Sequence, residues 1–135
     1  MERKGNVYDL DTESVALGKI KIDMDALPEN EKSGTAKKLL GSSVLFCYVG
    51  TLAEALHTRG AEYETISGNA SVFSGNDENG RYLVQKIEVE IEVKIAPEFN
   101  DVFSHVQAIM KKGCHISASI APAIPIVCNI KRVAA

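Results

Sequence analysis

Two cysteines stand where a thiol could do chemistry. Cys47 lies in the middle of the almost wholly apolar run GSSVLFCYVG, residues 41–50, and Cys114 follows a glycine in KKGCHIS, just before a second apolar segment. A thiol in such a place has two fates: it packs as a small hydrophobe, or it is held as a nucleophile whose thiolate does the work. Three cysteines at these spacings do not form a disulfide framework, and they lack the paired CxxC spacing of a structural zinc site. If the thiols have a task, reactivity is the reading their pattern leaves. Cys128 falls in the apolar register of IPIVCNIKRV, beside Ile124, Ile126 and Ile130, and reads as core.

The other polar residues carry weaker signals. His57, His105 and His115 have no His-x-x-x-His or Cys-x-x-Cys companion, so no metal site is expected. SGNDENG has neither the lysine nor the spacing of a phosphate loop. A formal net charge of −3 without a long basic cluster argues against nucleic acid, which needs several Lys or Arg on one face. The first twenty residues lack the apolar core and cleavage pattern of a signal peptide, and no membrane span is expected, so the cytoplasm is the expected location. No cofactor is implied by the residues.

At 135 residues, with 45% hydrophobic and 24% charged side chains, the chain reads as one globular domain over 1–135. From about Ala36 to Arg59 there is no proline, and Leu39, Leu40, Val44, Cys47, Leu52 and Leu56 recur at helical spacing between an N-cap at Thr35 and a stop at Gly60. The half LLGSSVLFCYVG is apolar or small nearly all round, which predicts a central helix buried on most sides.

The period then changes. Residues 61–73 read as a strand, SGNDENGR as a turn, and YLVQKIEVEIEVKI as a strand with Leu83, Ile87, Val89, Ile91, Val93 and Ile95 facing a core and Lys86, Glu88, Glu90, Glu92 and Lys94 facing water. EFNDVFSHVQAIMKKG predicts an amphipathic helix closed by two lysines and Gly113. SASIAPAIP reads as a short helical or irregular link, and IPIVCNIKRV as a last strand. Before the long helix, ALGKIKIDM reads as a strand and DALPENEKSG as an exposed loop. The order predicts an α+β fold with a mainly antiparallel sheet. One small sheet cannot cover so apolar a helix, so a homodimer is expected.

These segments together resemble the OsmC/Ohr family of thiol-dependent peroxidases. The likeness runs over about residues 35–133 and rests on a cysteine in the long apolar helix (LLGSSVLFCYVGTLAEALHTRGAEYETISG), the charged amphipathic strand YLVQKIEVEIEV, and a helix ending at a second cysteine, KKGCHISASIAPAIPI. The separation between positions 47 and 114, 67 residues, is its specific part. The resemblance implies an OsmC-like sheet wrapped around the central helix, an intertwined homodimer, and reduction of organic hydroperoxides with an external dithiol as reductant. By position, Cys47 matches the peroxidatic cysteine and Cys114 the resolving one.

Where family peroxidases carry a glutamate ten residues before the first cysteine, this chain has Lys37, and His115 stands where they usually have proline. A free thiol with a pKa of about 8.5 is only a few per cent ionised at neutral pH, and burial lowers that fraction. An activating cation is therefore expected, with Arg3, Lys37 and Arg81 as the candidates. The alternative reading is a catalytically impaired OsmC-like dimer that binds a small apolar ligand without turnover. A hot-dog-like acyl thioesterase, which would need an acid or base near the helix start, is a weaker one, since Lys37-Lys38 offers neither.

Overall fold

The computed structural model describes residues 1–135, apart from the side chain of Lys32. The chain divides into two compact units, Met1–Ala36 and Lys37–Ala135. In the first, strands β1 (Glu2–Lys4), β2 (Val7–Asp11) and β3 (Lys19–Asp23) form an antiparallel sheet in that order, with Tyr8 opposite both Arg3 and Ile22. Gly5, at φ +60, makes the tight turn between the first two strands. Two short 3-10 turns follow, over Met24–Ala26 and Glu29–Gly34, where the sequence reads as a plain loop. Among the described residues of this unit none is fully buried, so three short strands stand there without a core of their own.

The second unit carries the core. Helix α1 (Thr35–His57) begins in the last residues of the first unit and runs onto a sheet of β4 (Tyr63–Asn76), β5 (Tyr82–Ile95) and β6 (Ile126–Ala134). It stops at Gly60, whose φ of +72 lets the Ala61 N–H reach back to the Leu56 carbonyl at 3.0 Å. Strands β4 and β5 form a long antiparallel hairpin closed by Asp77, whose carboxylate accepts the Asn79 and Arg81 N–H groups at 2.9 and 2.8 Å. On β5 Ile87, Val89, Ile91, Val93 and Ile95 are fully buried and the charged residues between them are not, as the sequence predicts, whereas Leu83, expected on the same face, is 39% exposed beyond the register shift at Phe73/Ser74.

One strand runs against the simplest expectation. β6 lies parallel to β5, with Ile87 opposite Ile126 and Ile95 opposite Ala134, although the other strand pairs are antiparallel. The reason is the crossover: α2 (Asn100–Ile109) and α3 (His115–Ile120) carry the chain back along the sheet before β6 begins, and a return of that length permits parallel pairing. Phe103, Val106 and Met110 from this crossover join Val44, Tyr48, Leu52 and Leu56 of α1 in one cluster over the sheet.

Helix α1 is buried on one face, not on most sides. Gly41, Val44, Tyr48, Leu52 and Leu56 are buried at spacings of three and four, while Phe46 is 81% exposed and Leu39 is also open. The sheet of β4, β5 and β6 covers one side of the helix. With 23 residues α1 is long and apolar enough to cross a membrane by length and composition alone, yet here its buried stripe is the centre of the protein core.

At Gly68 on β4 a Cβ would stand 2.6 Å from the Glu90 carbonyl oxygen of β5 and 3.1 Å from Leu45 Cδ1. A Gly68→Ala variant is expected to lose about 1–3 kcal/mol in denaturant unfolding, because backbone must shift to admit the methyl group. Ser67→Ala beside it, at an exposed site, is expected to stay within about 0.5 kcal/mol.

Candidate thiol site

The fold brings Cys47 and Cys114 together. Cys47 sits at the edge of the buried stripe of α1, half-buried against the core, and Cys114 occupies the residue just before α3, only 4% exposed. Each thiol acts on the ionisation of the other, and the backbone of Ile116 favours the thiolate of both. The chain reaches this arrangement by returning through α2 and a sharp turn at Gly113, whose φ is +80.

Cys114 is fastened by Ser117 in a reciprocal cap. The Ser117 N–H donates to Cys114 Sγ at 3.4 Å, and the Cys114 N–H donates to Ser117 Oγ at 2.8 Å. Ser117 Oγ also stands 3.4 Å from Cys114 Sγ and 3.2 Å from the Cys114 carbonyl oxygen. The serine is 2% exposed, and the Tyr48 hydroxyl from α1 stands beside it. Gly113 leaves the space: a Cβ there would be 2.5 Å from Ser117 Oγ.

This surrounding separates the two thiols electrically. Burial pushes the Cys47 thiol up, and the neighbouring Cys114 adds to that, against opposing backbone N–H groups of Ile116 and His115. Burial also acts to raise Cys114, but the Ser117 hydroxyl and N–H, the Cys47 thiol and the Ile116 N–H outweigh it, and Cys114 ends below the ordinary thiol range. The surroundings thus favour the charged form of Cys114 and the neutral form of Cys47. Tyr48 is held above its usual value, chiefly by burial.

The candidate cations have other contacts. Lys37 packs its ammonium over the Tyr82 ring at 5.8 Å, about three turns of α1 and roughly 15 Å from Cys47. Arg81 belongs to the hairpin turn next to Tyr82, its N–H bound to Asp77. Arg3, in the first unit, stacks on Tyr8 at 5.2 Å. Among the described residues no group of three or more His, Cys, Asp or Glu is placed to hold a metal ion.

Cys128 is the third thiol of the neighbourhood and behaves differently. It packs against the core from β6 and lines a cavity of about 500 Å³ with Tyr48, Met110 and Ile126, at a rim carrying Lys111 and Lys131; neither Cys47 nor Cys114 lines it. Burial, with smaller repulsion from Cys114 and Glu90, pushes Cys128 up to about 12.

Ser117, Tyr48 and Gly113 are the parts of the site that the periodicity leaves unread. The available signal is local: Gly-Cys-x-x-Ser has the spacing of a capping box with sulfur in place of the usual hydroxyl. A pH prediction follows from Cys128. Its folded pKa of about 12 lies above the ordinary 9.0, so the neutral form is favoured by folding, and that stability is complete below 9.0 and lost as pH rises toward 12. Unfolding midpoints should fall over that alkaline window, and the fall should shrink in Cys128→Ala.

Comparison with known proteins now bears on this geometry. The sequence pattern of the family described as OsmC-like protein matches residues 29–129. No curated protein sequence matches the chain. Among solved structures, an OsmC-like protein from Mycoplasma pneumoniae is 15% identical with a TM-score of 0.69, over 98% of this chain and 99% of that one. The organic hydroperoxide resistance protein OhrB of Bacillus subtilis is 14% identical with a TM-score of 0.60, over 96% and 93%. An organic hydroperoxide resistance protein OsmC from Legionella pneumophila is 12% identical with a TM-score of 0.59, over 96% and 91%. At these identities the likeness to solved structures is one of fold, and the α+β architecture is theirs. With the pattern spanning most of its length, the chain belongs to the OsmC-like protein family.

Proposed function

We propose that this protein is a thiol-dependent reductase of organic hydroperoxides that acts through Cys47 and Cys114. The observation that carries the reading is the proximity of the two thiols, delivered from α1 and the start of α3 close enough for each to shift the ionisation of the other. Family membership supports it, since relatives of the same fold are named organic hydroperoxide resistance proteins.

The chemistry uses both sulfurs. Cys47, the more accessible of the two, attacks the terminal oxygen of the peroxide as its proton passes to the Cys114 thiolate, so the neighbouring sulfur takes the place of an activating cation. The O–O bond breaks, the departing alkoxide takes the proton from Cys114 and leaves as the alcohol, and Cys47 becomes a sulfenic acid. The Cys114 thiolate then attacks that sulfur, the departing hydroxide takes a proton from solvent and leaves as water, and a disulfide forms. An external dithiol returns both cysteines to thiols. The apolar surroundings of Cys47 favour peroxides with a hydrocarbon body over hydrogen peroxide.

The open face of α1 supports a homodimer. Phe46 and Leu39 project from the side of the helix opposite its buried stripe, and an apolar helix face of this kind is stable in water only when covered. A second copy of the same helix would cover it across a two-fold axis.

Two outcomes are expected. With an organic hydroperoxide and a dithiol, the purified protein should consume peroxide catalytically, and Cys47→Ser should reduce the rate to background; consumption no faster than that variant rejects the enzyme and favours the ligand-binding dimer. Sedimentation at micromolar concentration should give twice the chain mass, with Phe46→Glu shifted to monomer. A wild-type monomer rejects the dimer.

A further inference from the structure

The reciprocal cap between Cys114 and Ser117 bears on a step that the pairing of two thiols leaves open, namely which sulfur the reductant attacks. We infer that the external dithiol attacks Cys47 and that Cys114 departs as the thiolate, with Ser117 as the group built to receive that charge. The inference rests on the reading of Cys47 and Cys114 as one redox pair.

Three features of the site carry it. Access differs: Cys114 is 4% exposed and enclosed by Ser117, Tyr48 and the core, while Cys47 is only partly covered. Donors also differ. Ser117 provides its N–H 3.4 Å from Cys114 Sγ, and its hydroxyl stands 3.2 Å from the Cys114 carbonyl oxygen and 3.4 Å from the sulfur. A serine hydroxyl has one proton and two lone pairs and turns freely, so without moving a heavy atom it can accept from the Cys114 thiol or donate to the thiolate. The third feature is the constraint behind the serine. Gly113 at φ +80 keeps a side chain out of the Oγ position, and Tyr48 closes the other side. The titratable groups around Cys114 are Cys47 and Tyr48 from α1 and Cys128 from β6. None of them is a cation, so the hydrogen bonds to Cys114 Sγ are what favour its charge.

The electrons balance as follows. A thiolate of the dithiol forms a bond to Cys47 Sγ, the Cys47–Cys114 bond breaks, and its electron pair leaves on Cys114 Sγ. The second thiol of the reductant then attacks the reductant's own sulfur in the mixed disulfide, closing an oxidised cyclic disulfide and releasing Cys47, which takes up the proton that this thiol gives up. A second proton, set free when the attacking thiolate formed, restores Cys114 to a thiol. Disulfide exchange is faster when the departing sulfur is the more acidic one, and the direction of the Cys114 shift agrees.

The test separates this inference from the reading it rests on. The wild-type protein is oxidised with diamide, which joins neighbouring thiols without any peroxidase activity, then mixed with excess 2-nitro-5-thiobenzoate, quenched in acid and mapped by mass spectrometry. The expected adduct is on Cys47 with Cys114 free. An adduct chiefly on Cys114 overturns the inference and leaves the redox pair standing, whereas failure of diamide to join Cys47 to Cys114 rejects the pair itself and the inference with it. In a second arm, reduction of the diamide-formed disulfide by dithiothreitol should slow roughly threefold or more in Ser117→Ala, with the Cys114 thiolate absorbance in a Cys47→Ser background titrating at higher pH. Ser117→Thr, which keeps the hydroxyl, should restore both. An unchanged titration in Ser117→Ala overturns the role given to the serine, and should that variant not fold, adduct mapping on the wild type still decides the direction of attack.

Discussion

The approach of the Cys47 and Cys114 thiols to one another is the constraint on which the rest of the site depends. The two residues are distant in sequence, one on the long helix and one inside the crossover, between α2 and α3. For the sulfurs to meet, α1 must lie flat on the hairpin, and Gly41 and Gly68 permit it: a Cβ at either would stand about 3 Å from a side chain of the facing element. The crossover must also turn sharply between α2 and α3, which Gly113 does in a conformation that side chains disfavour. Core packing and site geometry are thus the same set of contacts.

Once the sulfurs meet, burial alone would leave both thiols neutral and inert. What distinguishes them is hydrogen bonding. Cys47 has backbone donors that do not offset its desolvation, whereas Cys114 has the serine hydroxyl and N–H in addition. The site therefore favours charge on the enclosed sulfur and disfavours it on the more accessible one. Cys128 marks the contrast. It is a thiol of the same neighbourhood with no such donors, and it is driven far toward the neutral form. Of the three cysteines, then, environment and not residue type decides which can be reactive.

Much of this was legible in the sequence, and the remainder has physical reasons for being hidden. α1 and β5 carry strong periodicity over many residues, so their type and ends are readable to within a residue or two. β1 and β2 are only three and five residues long, too short for an alternation to stand out in the sequence. The parallel direction of β6 depends on where the crossover returns, which no local pattern encodes. The one-sided burial of α1 is a property of how much sheet a single chain possesses, whereas composition reports only that every face of the helix tolerates burial. At the site, two cysteines in their segments were readable as a pair through the family resemblance. Ser117 was visible only as a spacing, because its importance comes from the geometry of four short contacts to one residue.

The central claim is that Cys47 and Cys114 form one redox site from which Cys128 is excluded. Non-reducing peptide mapping after limited exposure to an organic hydroperoxide, with free thiols alkylated in denaturant, tests it most directly. The account predicts a single disulfide joining Cys47 to Cys114 within one chain and Cys128 recovered as the alkylated thiol. Slow oxidation of all three cysteines at similar rates, with mixed connectivity, would contradict it.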